Sequence, residues 1–259
     1  MREQEAKRLV NDVAKRMYRQ GYIVAGDGNV SCKLDAERIV VTPSGLPKGY
    51  MNDDDMIVVD LEGKRLSGKH RPSSEFLMHQ LAYRERPDVG AVVHGHPVLA
   101  TALALAGVSL AQCVLSETCL TLGGIETAPY STPTTEEVPN ILRPYVRCAN
   151  AIIMNRHGAL TLGATLEEAY ARFETMEHTA KITHAARVLG PVAPMPPVEL
   201  DKLNQLVARF GIPRPPEPCK ACNACPNGTG GPVQTPAGAT EADVARIVEA
   251  VVSRLTPRS

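Results

Sequence analysis

The chain carries no excess of either charge: 28 lysines and arginines are balanced by 28 aspartates and glutamates in 259 residues. No global field therefore draws it to nucleic acid or to an anionic membrane, and neither is expected as a partner. It has no apolar run of the ~18 residues a membrane span needs. Its first residues, MREQEAKR, are charged rather than signal-like. A soluble cytoplasmic protein is the expectation. No internal repeat is visible. Cysteine is sparse, and Cys32, Cys113, Cys119 and Cys148 are scattered. With no sign of secretion, these four are expected as reduced thiols. What is present is 44% hydrophobic residues, enough for a sizeable core in one large domain or a domain with an appendage.

Periodicity places the elements. Leu9, Val10, Val13 and Met17 have helical spacing over residues 3–20, closed by Gly21. A glycine-rich turn, GDGNVSCKL, enters a short strand; RIVVTPSG and DMIVVDLEG read as further strands. RPSSEFLMHQLAYRERP predicts a helix started by a serine and stopped by Pro87. DVGAVVHGHP predicts a strand, and PVLATALALAG a helix opening at proline. TEEVPNILRPYVRCA predicts a helix despite Pro139 and Pro144, and NAIIMNRHGALTLG a strand, turn and strand. TLEEAYARFETMEHTAKITHAARVLG predicts a long helix with Thr165 and Glu168 as a capping box. Short, adjacent strands favour a largely antiparallel or mixed sheet covered by helices.

The stretch AVVHGHP raises the chemical question. Residues i and i+2 of a strand share a face, so His94 and His96 can reach one ion, with Gly95 leaving the backbone uncrowded. Alone, the pair fits a metal site or a strand that ends in polar residues. NRHGAL adds His157 at a turn as a third candidate ligand. SSE adds Glu75, a carboxylate for acid–base work or a displaceable fourth ligand. His70, His79, His178 and His184 lack such company and are expected as surface or packing residues. GDGNVS, TPSG and SSE each put small residues and hydroxyls into turns, whose N–H groups suit phosphate.

GNVS at 28–31, TPSG at 42–45, SSE at 73–75, HGHP at 94–97 and RHG at 156–158 occur together and in order. This set resembles the zinc-dependent class II aldolase/adducin family, in particular the L-fuculose-1-phosphate aldolases, over residues 1–190. The resemblance implies a three-layer α/β/α fold with a mostly antiparallel central sheet, assembled as a C4 homotetramer with sites at subunit interfaces. It implies Zn²⁺ on His94, His96 and His157, with Glu75 as a further ligand and as the acid/base. It implies a phosphate pocket of Gly28, Asn29, Ser44, Gly45, Ser73 and Ser74. The expected reaction is cleavage of L-fuculose or L-rhamnulose 1-phosphate to dihydroxyacetone phosphate and L-lactaldehyde. Where enteric fuculose-phosphate aldolase has a proton-donating tyrosine, this chain aligns Glu117; Tyr130 of APY is expected to be structural. Ribulose-5-phosphate 4-epimerases share the scaffold but carry aspartate in place of Glu75, and adducin-like modules lose the zinc ligands. A related thioribulose-phosphate dehydratase is a further alternative.

Near residue 190 the composition changes to GPVAPMPP, followed by a short helical stretch, VELDKLNQLVARFG. The expected organisation is a catalytic domain over 1–212, a flexible Pro/Gly/Cys-rich linker over 213–239 and an amphipathic helix over 240–259. Cys219, Cys222 and Cys225 fall in the linker as C-x₂-C-x₂-C-P. No fourth cysteine or nearby histidine completes a metal site, so they read as redox-active or flexible thiols. Val244, Ile247, Val248, Val251 and Leu255 form one apolar stripe, too short a helix to stand without a partner surface. The segment resembles an encapsulation peptide of bacterial microcompartment enzymes, which implies shell or cargo partners and a microcompartment lumen.

Overall fold

Alternation along the strands builds the two faces of the sheet in this computed structural model, which describes residues 1–215. The cysteine run at 219–225, nearly all of the expected linker and the whole of the expected terminal helix lie outside the described residues. The chain opens with α1 (Glu3–Arg19), β1 (Asn29–Lys33) and β2 (Ile39–Val41). Two short 3-10 turns, Lys48–Tyr50 and Asp53–Asp55, lead to β3 (Ile57–Val59) and β4 (Arg65–Ser67). Then come α2 (Phe76–Glu85), β5 (Ala91–Gly95), α3 (Val98–Leu105), α4 (Ser116–Thr121) and β6 (Glu126–Ala128). α5 (Glu137–Cys148), β7 (Ala151–Met154), β8 (Gly158–Gly163), α6 (Leu166–Leu189) and α7 (Pro197–Phe210) complete the order.

The eight strands form one sheet in the order β4-β3-β2-β1-β5-β8-β7-β6. Every pairing is antiparallel except β6 with β7. Val40, Val58, Val93 and Ile153 enter one apolar cluster with residues of α1, α3 and α6. Their neighbours Ile39, Val41, Ile57, Val59, Val92 and Ile152 enter a second cluster with residues of α2, α5 and α7. The period of two thus buries both faces, giving the expected three layers. No helix of the described residues is long and apolar enough to cross a membrane.

Most expected elements are present, and the differences have local causes. α5 runs through Pro139 and Pro144 because Val138, Leu142 and Val146 bury one amphipathic stripe. α4 and β4 have no counterpart among the expected elements; six and three residues are too short to show a period. The capping of α6 is split. The Thr165 hydroxyl accepts from the Glu168 N–H, while the Glu168 carboxylate accepts from Ala164 N–H at 2.6 Å. Cys113 and Cys119, expected as separate thiols, are joined as a disulfide: the chain turning into α4 brings their Cα atoms to 5.7 Å. Cys32 remains a buried thiol, pushed up to about 12 by burial.

Arg86, 1% exposed, closes the C-terminal end of α2. Its guanidinium grips Asp88 with two bonds of 2.8 and 2.7 Å, and donates to Val146 O and Asn150 Oδ1 at 3.0 and 2.9 Å. Arg86→Met is expected to lower unfolding free energy by ~2–3 kcal/mol, read from the urea midpoint, because several acceptors lose their partner. An unchanged midpoint would show that these bonds contribute nothing net.

Candidate functional site

The site begins as a register. β1 lies antiparallel to β5 with Asn29 directly opposite His94, and β5 lies against β8 with His94 opposite Leu160. His94 leaves the sheet on the α2 side, as does Val92. β5 ends at Gly95, and His96 is held by its N–H on Tyr22 O at 2.7 Å. The buried Glu177 carboxylate accepts from Leu99 and Ala100 N–H at 3.1 and 3.0 Å, fixing the start of α3 just past His96. β7 and β8 form a hairpin whose three-residue turn, Asn155–His157, has Arg156 at φ +62°. That turn carries His157. A side chain at Gly158 would strike the Gly95 carbonyl and the His96 ring, so glycine is what lets the hairpin close onto the HGH strand.

The three imidazoles converge: one ring nitrogen from each of His94, His96 and His157 lies within 4.8 Å of the others. His94 Nδ1 donates to Ala159 O at 2.9 Å, which puts the proton there and leaves the Nε2 lone pair for another use. Nε2 of both His94 and His96 is buried without a hydrogen-bond partner. Buried lone pairs of neutral imidazole left unpaired are what a divalent cation would satisfy, so these residues fit a metal ion. Burial, with the charges of His94 and His157, pushes His96 down to about 4, against Asp27 and Glu75. Asp27 approaches His96 Nδ1 at 3.7 Å.

Glu75 stands at the N-terminal edge of α2 and faces this cluster. Its Oε1 lies 2.9 Å from His157 Nε2 and its Oε2 lies 3.4 Å from His94 Nε2, an ion-pair distance without hydrogen-bond geometry. Burial pushes the Glu75 carboxyl up, but His157 and His94 outweigh it and hold it well below the usual carboxylate range.

The small-residue turns assemble beside it. Asn29 Nδ2 donates to Glu75 Oε2 at 3.0 Å and to Ser73 Oγ at 3.2 Å, and Ser73 Oγ accepts from Glu75 N–H. Ser44 N–H donates to Arg71 O at 3.0 Å, and Pro43 bridges Pro72. Ser44, Gly45 and Ser74 stay exposed. Gly28 sits at φ +68°, where a side chain would strike Ile23 and the His94 carbonyl. Of the sequence candidates, Glu117 is not brought in. It lies exposed on α4, whose other side packs through Thr118 onto Thr179 of α6 at 2.7 Å. Tyr130 is 50% exposed, so it is no packing residue in the single chain.

Residues that the sequence does not single out complete the surroundings. His79, expected as an ordinary surface or packing residue, is fully buried and hydrogen-bonds Asn29 Oδ1 through Nε2 and Ser31 Oγ through Nδ1, the latter at 2.7 Å; Tyr83 OH reaches Ser31 Oγ at 2.6 Å. Because the Asn29 carbonyl must accept, the chain of donors runs Tyr83 to Ser31 to His79 to Asn29 to Glu75. Burial, with the charge of His94, pushes His79 down to about 3 against Glu75, keeping it neutral in this role. Its signal is its position one helical turn after Glu75. A cleft beside Glu75 and His157 is also lined by Ser74, Thr134, Thr135 and Val138, and no local pattern marks the threonines.

Comparison with known proteins places the chain in a family. Residues 8–184 match the family described as the class II aldolase and adducin N-terminal domain. The chain belongs to that family. Among class II aldolase relatives, it is 36% identical over 174 residues to a protein of Methanococcus vannielii named L-fuculose phosphate aldolase, covering 65% of this chain and 90% of the relative. It is 31% identical to a 3-oxo-tetronate 4-phosphate decarboxylase of Haemophilus influenzae, over 68% of this chain and 85% of that one. The crystal structure of L-fuculose-1-phosphate aldolase from Thermus thermophilus superposes with a TM-score of 0.65 at 28% identity, over 74% of this chain and all of that one. The protein is an enzyme of the class II aldolase type, a carbon–carbon lyase.

Proposed function

We propose that the enzyme cleaves a deoxyketose 1-phosphate, L-fuculose 1-phosphate or L-rhamnulose 1-phosphate, to dihydroxyacetone phosphate and L-lactaldehyde. The observation that supports it is the convergence of three imidazoles on one point faced by Glu75. His94, His96 and His157 would hold Zn²⁺, with Glu75 close enough to join them. Bound there, Zn²⁺ supplies a Lewis acid with its full double charge, since the imidazoles are neutral. Asn29, Ser44, Gly45, Ser73 and Ser74, with Gly28, hold the phosphoryl group and so fix which carbon faces Glu75. A base removes the C4 hydroxyl proton, the C3–C4 bond breaks, and its electron pair stays on the dihydroxyacetone fragment as an enediolate. Glu75, a carboxylate at rest, takes up the proton that the base has released and gives it to C3, completing dihydroxyacetone phosphate with no net proton gained or lost. Glu117 serves the aldehyde side from a neighbouring copy, since it is exposed on its own chain; this is the role of a C4 homotetramer with interface sites. Residues 240–259 direct the enzyme to a microcompartment lumen, a reading supported by their apolar stripe and by the reactivity of the aldehyde.

Relatives named decarboxylases support a second reading, loss of carbon dioxide from a 3-oxo acid phosphate on the same site. One assay separates them. Purified protein is given L-fuculose 1-phosphate, L-rhamnulose 1-phosphate, L-ribulose 5-phosphate and 3-oxo-tetronate 4-phosphate, with and without a chelator. Dihydroxyacetone phosphate release that stops on chelation and returns with Zn²⁺ is expected. Carbon dioxide release, or epimerisation of ribulose 5-phosphate without cleavage, would replace the aldol reaction with another on this scaffold.

A further inference from the structure

Lys48 is fully buried, 1% exposed, at the start of the 3-10 turn Lys48–Tyr50. Its Nζ donates to the backbone carbonyls of Gly26, Pro43 and Leu46 at 2.9, 3.1 and 3.1 Å. An ammonium has three donors, so all are used, and every partner is a neutral carbonyl. Those carbonyls lie on two different turns. Gly26 begins the turn that leads into Gly28 and Asn29; Pro43 and Leu46 bracket Ser44 and Gly45. The Lys48 N–H adds a further bond to Ala25 O at 3.1 Å. The turns touch here, since a methyl group on Gly26 would lie 3.4 Å from the Gly45 backbone.

A cation taken out of water and held only by carbonyl dipoles is costly, and its charge is poorly screened. Burial pushes the ammonium down to about 8, against the opposing charges of Asp27 and Glu75. A fold that needed only to join two turns had neutral donors available. A fold that must bind a dianion at the joined turns gains from a fixed positive charge beneath them.

We propose that Lys48 is a positioning residue for the substrate's phosphoryl group. It ties the Gly26–Asn29 and Pro43–Leu46 turns into one anion cradle and sets a positive charge under it. This rests on the phosphate pocket assigned under the proposed function, but not on the reaction. Lys48 makes no contact with Glu75 or the imidazoles and reaches Glu75 only through its charge, so its effect falls chiefly on affinity for the phosphate rather than on the bond-breaking step.

Lys48→Met removes the charge and all three donors at similar volume. The folded variant is expected to bind inorganic phosphate ~10-fold or more weakly by titration calorimetry. Its KM for the sugar phosphate should rise by the same factor while kcat stays within about threefold of wild type. Lys48→Arg, which returns the charge, should recover most of the phosphate affinity. Unchanged phosphate affinity in Lys48→Met, or lost kcat with unchanged phosphate affinity, overturns the assignment. If Lys48→Met does not fold, Lys48→Gln, which keeps amide donors without charge, is compared with Lys48→Arg. Phosphate binding ~10-fold weaker in the glutamine variant supports the role, and equal binding overturns it. Calorimetry with phosphate needs no turnover. Wild-type protein that binds phosphate but cleaves no sugar would reject the reaction and leave Lys48 in place; wild-type protein without phosphate affinity would remove both the pocket and this role.

Discussion

Glu75→Gln is expected to keep its metal ion and to release dihydroxyacetone phosphate ~10³-fold more slowly than wild type, the scale of losing a positioned acid–base group. Glutamine has nearly the same size and still offers a carbonyl oxygen to Asn29 Nδ2, which reaches the carboxylate at 3.0 Å. Three imidazoles remain to hold the cation. What the amide lacks is a proton to give to C3 and the basicity to take it back. Metal content by elemental analysis and single-turnover release of product are therefore measured on one preparation. Turnover at the wild-type rate would remove Glu75 from the chemistry. Loss of metal together with activity would instead make Glu75 chiefly a ligand.

His79→Leu is expected to lower unfolding free energy by ~2–4 kcal/mol and to reduce kcat/KM by ~10–100-fold, the usual range for outer-shell partners of a metal site. The leucine fills a similar volume but leaves the Asn29 carbonyl without its His79 donor and the Ser31 O–H without its His79 acceptor, in a fully buried place, although Ser31 Oγ keeps Tyr83. Asn29 can then rotate, and with it go the amide bonds to Glu75 and Ser73. The carboxylate loses its orientation and the Ser73 turn, part of the proposed phosphate pocket, its anchor at once. His79→Gln, which offers an amide NH₂ as donor and a carbonyl as acceptor on a neutral side chain, should recover part of both losses. The urea midpoint and the steady-state constants check this. A leucine variant as stable and as fast as wild type would reduce the buried chain from Tyr83 to Glu75 to packing.

Much of this site is legible in the sequence because its signals are local. A strand period points His94 out of the sheet, and His96 follows two residues later, just past the strand end; a turn sequence, NRHG, sets His157 at a hairpin tip; hydroxyls before a helix set Glu75 at its N-terminal edge. Each follows from a handful of adjacent residues, and the ordered motifs are enough to point to the family. The same local rules give the long helix α6 and the apolar strands. They fail at α4 and β4, which are too short to have a period, and at the cysteines, where pairing depends on how the chain turns back.

Residue types, periods and motif order were thus determined by the sequence alone, because propensity and alternation act over one or two turns of chain. Which residues meet was decided only by the tertiary structure. Asn29 faces His94 because β1 and β5 become neighbours with one register. His79 ceases to be a packing residue because α2 lies over Ser31 and Asn29. Lys48 finds its carbonyls because two turns distant in sequence touch. Glu117, which the family resemblance aligned with a residue of the site, lies exposed on α4 of its own chain. Strand order and register arise from the summed burial of both apolar faces, a property of the whole sheet that no short segment carries.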